Sequence, residues 1–153
     1  MTEPESGALA TRSIRLPAQP ERYPELVDAV EAFGRASGID QRPGWHEFLT
    51  AIAEIGANVL TYAYEGGEHG DMEMGLRLYP DRVQATFRDW GAPFVEPPAA
   101  AVAVDDDLFD PLPGLAEGGR GLAIARLALD SLTYERQADR TNVWQLVKRL
   151  SPD

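Results

Sequence analysis

The chain has 153 residues, 44% of them hydrophobic, which suffices for one compact α/β domain and is too short for two of ordinary size. Its 25 acidic against 14 basic residues leave a formal charge of −11 with no cluster of Lys and Arg, which argues against direct nucleic-acid binding. The absence of cysteine excludes disulfides, thiol catalysis and thiolate metal sites, and His46 and His69 alone do not make a histidine-rich metal centre.

Residues 1–10 are polar and lack a basic segment followed by an apolar one. They are expected to be a disordered start to a single domain at 11–153. No apolar run reaches membrane-spanning length, so no membrane contact and a cytoplasmic location are expected. Residues 12–16 alternate Ile14 and Leu16 with polar side chains, as a half-buried strand does. Between 20 and 36, Leu26, Val27, Val30 and Phe33 recur at helical spacing, and Ser37-Gly38 supplies a stop. A longer helix is expected over 43–64. Strands at 73–79 and 82–88, joined by Pro80-Asp81, read as a hairpin.

From 91 to 119 the character changes: Pro93, Pro97, Pro98, Pro111 and Pro113 break any regular element, and Asp105-Asp106-Asp107 adds an acidic run. Loops of this length inside a compact domain are commonly lids or binding loops, and a lid is expected at about 92–117. A helix at 121–129 and strands at 131–136 and 142–150 close the chain. The order β-α-α-β-β-lid-α-β-β fits an α/β (α+β) two-layer sandwich, with a mixed, mainly antiparallel sheet and helices on one face.

Two constellations carry chemistry. On the second helix, Glu47, Thr50, Glu54, Asn58 and Thr61 fall within roughly 80° of one another at 100° per residue, and apolar or small residues fill nearly all the rest of the wheel. This narrow stripe is either a solvated edge or a working one. A carboxylate and a carboxamide at i and i+4 point the same way, so Glu54 can take a proton or orient a nucleophile while Asn58 gives an oxygen to Mg²⁺.

In the second constellation, Asp89-Trp90-Gly91 ends a strand. It is either an ordinary turn or a carboxylate placed to accept an exocyclic amine such as that of adenine. Gly118-Gly119-Arg120-Gly121 then runs into a helix, where exposed N–H groups and the helix dipole favour phosphate. Neither the dinucleotide fingerprint nor a Walker A loop is present.

In this order the segments resemble the nucleotide-binding boxes of the gyrase and histidine-kinase (Bergerat-fold) ATPase superfamily. Glu54-Ile55-Gly56-Ala57-Asn58 is similar to its N box, Asp89-Trp90-Gly91-Ala92-Pro93-Phe94 to its first glycine box, and Gly119-Arg120-Gly121-Leu122 to its second. Thr141 matches the threonine that helps hold adenine. The short chain and the stretches around Tyr64 and Phe94 resemble most the anti-sigma-factor serine/threonine kinases.

That resemblance implies ATP and Mg²⁺ as ligands, with Glu54 as general base, Asn58 as the Mg²⁺ ligand and Asp89 as the adenine anchor. Gly91, Gly118, Gly119, Arg120, Gly121, Leu122 and Thr141 would complete the pocket. It further implies phosphorylation of a serine on an anti-anti-sigma partner with a STAS domain, alternating with capture of a sigma factor or another regulated protein, and a homodimer.

Two positions depart from the pattern: Pro93 replaces the second glycine of the first box, and Glu117 stands where some such kinases carry a basic residue. Arg120 can supply positive charge to the γ-phosphate or simply be a solvated helix-start residue. The alternative function is a non-catalytic, nucleotide-gated partner switch. A module without nucleotide binding is a third, opposed by the joint presence of Asn58, Asp89 and Thr141.

Overall fold

In the computed structural model, which describes residues 7–64, 67, 69–94 and 121–151, the periodicities of the sequence become five strands and three α-helices. Strand β1 (Ala10–Pro17) leads through a 3₁₀ turn (Pro20–Arg22) into helix α1 (Tyr23–Ser37) and then α2 (Trp45–Tyr62). The hairpin β2 (Asp71–Leu78) and β3 (Arg82–Asp89) follows, then helix α3 (Gly121–Ala128) and the hairpin β4 (Ser131–Arg136) and β5 (Asn142–Arg149).

The helix expected at 20–36 is thus split. Pro24 has no N–H to bond the carbonyl four residues back, so a regular helix can contain it only in its first turn, and α1 starts at Tyr23. Its exit is the one expected: Gly38 takes φ 73°, the left-handed conformation that closes a helix with glycine. Helix α1 buries Leu26, Ala29, Val30 and Phe33 at helical spacing, while Val27 sits half-buried beside that stripe.

The sheet order is β1-β2-β3-β5-β4, and every described pairing is antiparallel, in keeping with the mainly antiparallel sheet expected. Strands β2 and β3 alternate strictly between buried and half-buried positions. Met72, Met74, Leu76 and Leu78 with Val83, Ala85 and Phe87 form the inner face, against which the helices pack. The opposite face, with Arg15, Glu73, Arg77, Thr86 and Arg88, carries the polar half of the alternation.

Helix α2 is the centre of the helical layer, in contact with α1, α3, β3 and β5. It buries Trp45, Phe48, Ala51, Ile52, Ile55, Val59 and Leu60, and full burial of each large apolar side chain contributes roughly 1.5–3 kcal/mol. Close approach depends on Gly56: a Cβ there would come within 2.3 Å of Leu26 Cδ2 and 3.4 Å of Phe87, so α1 and β3 both press on this turn. Among the described residues no helix is long and apolar enough to cross a membrane.

Candidate nucleotide site

The polar stripe of α2 divides in the structure. Glu47, Thr50 and Thr61 are exposed, as a solvated edge requires, whereas Glu54 and Asn58 in its middle are half-buried. The cover over Glu54 is α3, which packs along α2. A Cβ built on Gly121 would lie 2.7 Å from Glu54 Oε1, so the carboxylate rests against the first residue of that helix. Residues 67 positions apart, counted as 121 minus 54, are thereby brought into contact. Asn58 lies one helical turn beyond Glu54, and its Nδ2 is a buried side-chain atom without a hydrogen-bond partner among the described residues. A buried donor left unpaired costs about 1–3 kcal/mol.

Asp89 occupies the inner face at the end of β3 and is only 3% exposed. It is fixed by two donors that converge on Oδ1: the Gly91 N–H at 2.9 Å and Asn142 Nδ2 at 2.7 Å. Burial raises its pKa above the usual carboxylate value, while the bonds from Asn142 and Gly91 and the charge of Arg136 pull the other way. Gly91 is demanded by space. A Cβ there would meet the Ala63 carbonyl oxygen at 1.9 Å, and the same carbonyl accepts the Ala92 N–H at 2.9 Å, so the exit from β3 is seated on the C-terminal end of α2.

Tyr64 completes that seat, its hydroxyl donating to the Asp71 carbonyl at 2.7 Å and accepting the Trp90 N–H at 2.9 Å.

Thr141 is buried, and its hydroxyl and N–H both donate to Asp139 Oδ1 within the β4–β5 turn. That pairing lowers the pKa of Asp139. The threonine hydroxyl therefore bonds within the turn, and the residue bonded to Asp89 is its neighbour Asn142. Leu122 is buried in the core, so its backbone is what it can offer a ligand. Gly118, Gly119, Arg120 and Glu117 lie outside the described residues, as does all of the expected lid except Ala92, Pro93 and Phe94.

Three functional candidates emerge that the sequence reading passed over. Asn142 stands directly opposite Asp89 in the β3–β5 ladder. Tyr134 and Arg136 both donate to Asn142 Oδ1, at 2.6 and 3.1 Å, and Arg136 Nη1 also donates to the Gly91 carbonyl at 2.8 Å. The available signal was parity. Asn142 shares the inward alternation of Trp144 and Leu146, and a polar residue on an otherwise apolar strand face marks a bonded or functional position.

Residues 16–148 match the histidine kinase-like ATPase domain. The chain is 30% identical over 145 residues to the serine-protein kinase RsbW of Halalkalibacterium halodurans, covering 88% of this chain and 87% of that one. It is 26% identical over 143 residues to the serine-protein kinase RsbW of Bacillus pumilus, covering 84% and 80%. The SiaB-SiaC complex from Pseudomonas aeruginosa aligns with a TM-score of 0.48 and 15% identity over 97% of this chain and 93% of that one. A match across nearly the whole domain settles the family: the chain belongs to the histidine kinase-like ATPase domain family, and the relatives named above are serine-protein kinases.

Proposed function

We propose that this protein binds Mg-ATP and transfers its γ-phosphate to a serine of a STAS-type anti-anti-sigma protein, alternating that reaction with sequestration of a sigma factor or similar regulated protein. The observation that carries the reading is the seating of Glu54 against Gly121, which sets a half-buried carboxylate at the start of a helix. Backbone N–H groups at such a start favour phosphate oxygens, and a carboxylate beside them can accept the proton of an attacking hydroxyl.

Each residue has a role in that chemistry. Glu54 takes the serine proton as the serine oxygen bonds to the γ-phosphorus and ADP leaves with the other two phosphates. Asp89 accepts the adenine amine in a pocket whose burial strengthens the bond. Asn58 is the residue that would hold Mg²⁺, through its carboxamide oxygen. Its Nδ2 has no hydrogen-bond partner among the described residues, so the side chain is not committed to a bond within them, and one carboxamide oxygen suits a cation that takes most of its ligands from water and phosphate. Bound Mg²⁺ would neutralise charge on the phosphate oxygens during transfer.

The test combines the purified chain, Mg-ATP and a STAS-type partner, with phosphate addition followed by intact mass and nucleotide binding by calorimetry. Serine phosphorylation that disappears in Glu54→Gln, while that variant still binds ATP, is the expected result. Binding without transfer in the native chain would replace the kinase by a nucleotide-gated partner switch. Absence of any ATP binding would remove the proposal.

A further inference from the structure

The carboxamide of Asn142 uses its full bonding capacity. Its two Nδ2 hydrogens serve Asp89 Oδ1 at 2.7 Å and the carbonyls of Gly91 and Ala92 at 3.2 and 3.0 Å. Its Oδ1 accepts from the Tyr134 hydroxyl at 2.6 Å and from Arg136 Nη1 at 3.1 Å. An amide has two donors and two acceptor lone pairs, so rotation by 180° would set oxygen against the Asp89 carboxylate and nitrogen against two donors. Only one orientation survives.

Tyr134 is itself held. Its ring packs on Trp144 at 4.8 Å and on Phe94 at 5.7 Å between centroids, and its hydroxyl accepts the Phe94 N–H at 2.9 Å.

This fixed amide in turn fixes Asp89. The terminal torsion of an aspartate is broad and two-fold, so a buried carboxylate without directional partners would sample many orientations. Here Oδ1 receives both Asn142 Nδ2 and the Gly91 N–H, which settles the plane of the group. The Gly91 and Ala92 carbonyls, just beyond β3, are secured by the same side chain, so the acceptor and the backbone beside it are tied to one group.

We infer that Asn142 is the positioning residue that makes Asp89 selective for a 6-amino purine over a 6-oxo purine, an assignment that rests on the ATP-binding reading above. A 6-amino group donates to a carboxylate, whereas a 6-oxo group places an acceptor against an acceptor. Discrimination of this kind is large only where the protein group cannot turn away, because a mobile carboxylate relieves the mismatch.

The experiment titrates the full chain and its Asn142→Ala variant with Mg-ATP and with Mg-ITP, whose base carries oxygen in place of the amine, after thermal unfolding has confirmed that each variant folds. The native chain is expected to prefer ATP by ~100-fold or more. In Asn142→Ala, ATP affinity falls about 10- to 100-fold while ITP affinity changes little, so the ratio collapses. A folded variant that keeps the native ratio, including one in which both affinities fall in parallel, overturns the assignment and leaves Asn142 a structural residue.

If Asn142→Ala does not fold, Tyr134→Phe combined with Arg136→Leu decides. The pair leaves Asn142 in place and removes both donors to its amide oxygen, and a ratio reduced several-fold supports the inference where an unchanged one refutes it. A native chain that binds ATP and ITP equally overturns the selectivity alone. One that binds neither overturns the ATP reading as well.

Discussion

Asp89 and Asn142 face each other across the β3–β5 ladder, and the 2.7 Å bond between their side chains joins the end of one strand to the beginning of the next. This places an ionisable group on the apolar side of the sheet, where burial raises its pKa and folding favours the protonated form. The sign of the pH effect follows. The charged carboxylate detracts from stability above its folded pKa, and that penalty is relieved as pH falls through that value toward the unfolded one. Urea unfolding is expected to show this gain in the native chain as pH is lowered from neutral toward the ordinary carboxylate value of about 4, and to lack it in Asp89→Asn. The variant should be at least as stable as the native chain at neutral pH, because an asparagine oxygen still accepts both donors, yet lose ATP binding. Asp139 acts in the opposite sense: its lowered pKa makes its contribution present at neutral pH and lost on acidification below about pH 4.

Gly91 and Gly121 make a paired prediction. At Gly91 the obstacle to a Cβ is the backbone carbonyl of Ala63, which cannot yield without moving the end of α2. Gly91→Ala should cost about 2–3 kcal/mol in chemical unfolding, the scale of overpacking. At Gly121 the obstacle is the far end of the Glu54 side chain, which can turn aside. Gly121→Ala should leave stability within ~1 kcal/mol, alanine being the better helix former. By displacing Glu54 it should still lower the phosphotransfer rate by about 10-fold or more while ATP affinity holds, an effect of the size general-base contributions allow.

Asn58 should show a trade between stability and function. Replacing it by leucine removes the unpaired Nδ2 from the interior and is expected to raise unfolding free energy by ~1 kcal/mol. The same variant should lose the Mg²⁺ dependence of nucleotide binding in calorimetry. A stability loss would instead mean that the carboxamide has a structural partner in solution.

Arg140 adopts φ 68° in the β4–β5 turn, a conformation costing a non-glycine residue about 1–2 kcal/mol. Arg140→Gly relieves that strain but adds freedom to the unfolded chain, so a net gain of about 0.5–1 kcal/mol is expected in thermal unfolding. Nucleotide affinity should stay unchanged, because the turn's bond from Thr141 to Asp139 is retained.

Much of the fold was legible because one signal dominated each element. Strict alternation in β2 and β3 and the 3.6-residue stripe on α2 left little choice, and Gly38 ended α1 where glycine is the cheapest left-handed residue. The start of α1 was misplaced because helical spacing of apolar residues says nothing about where the missing N–H of Pro24 permits a helix to begin. In the candidate site, Glu54, Asn58 and Asp89 stand out in the sequence as polar residues in ordered boxes. Asn142, Tyr134 and Arg136 did not, since their importance comes from pairing across strands, and register is invisible until β3, β4 and β5 are set side by side. Thr141 enters the pocket through box resemblance alone, and the bond of its hydroxyl to Asp139 is a local choice made by the turn.

Leu16, Met72, Asp89, Asn142 and Arg136 are successive partners across all five strands, so the sheet turns from apolar to polar within a single transverse row. Such a row tolerates no change of chain length inside the ladder. One residue inserted within β3 would send Asp89 to the side now occupied by Arg88 and drag Val83, Ala85 or Phe87 out of the core with it. Damage to the pocket and damage to the scaffold are therefore the same event. A change of length here would be absorbed in the turns that join β2 to β3 and β4 to β5, where an extra residue leaves the parity of both flanking strands untouched.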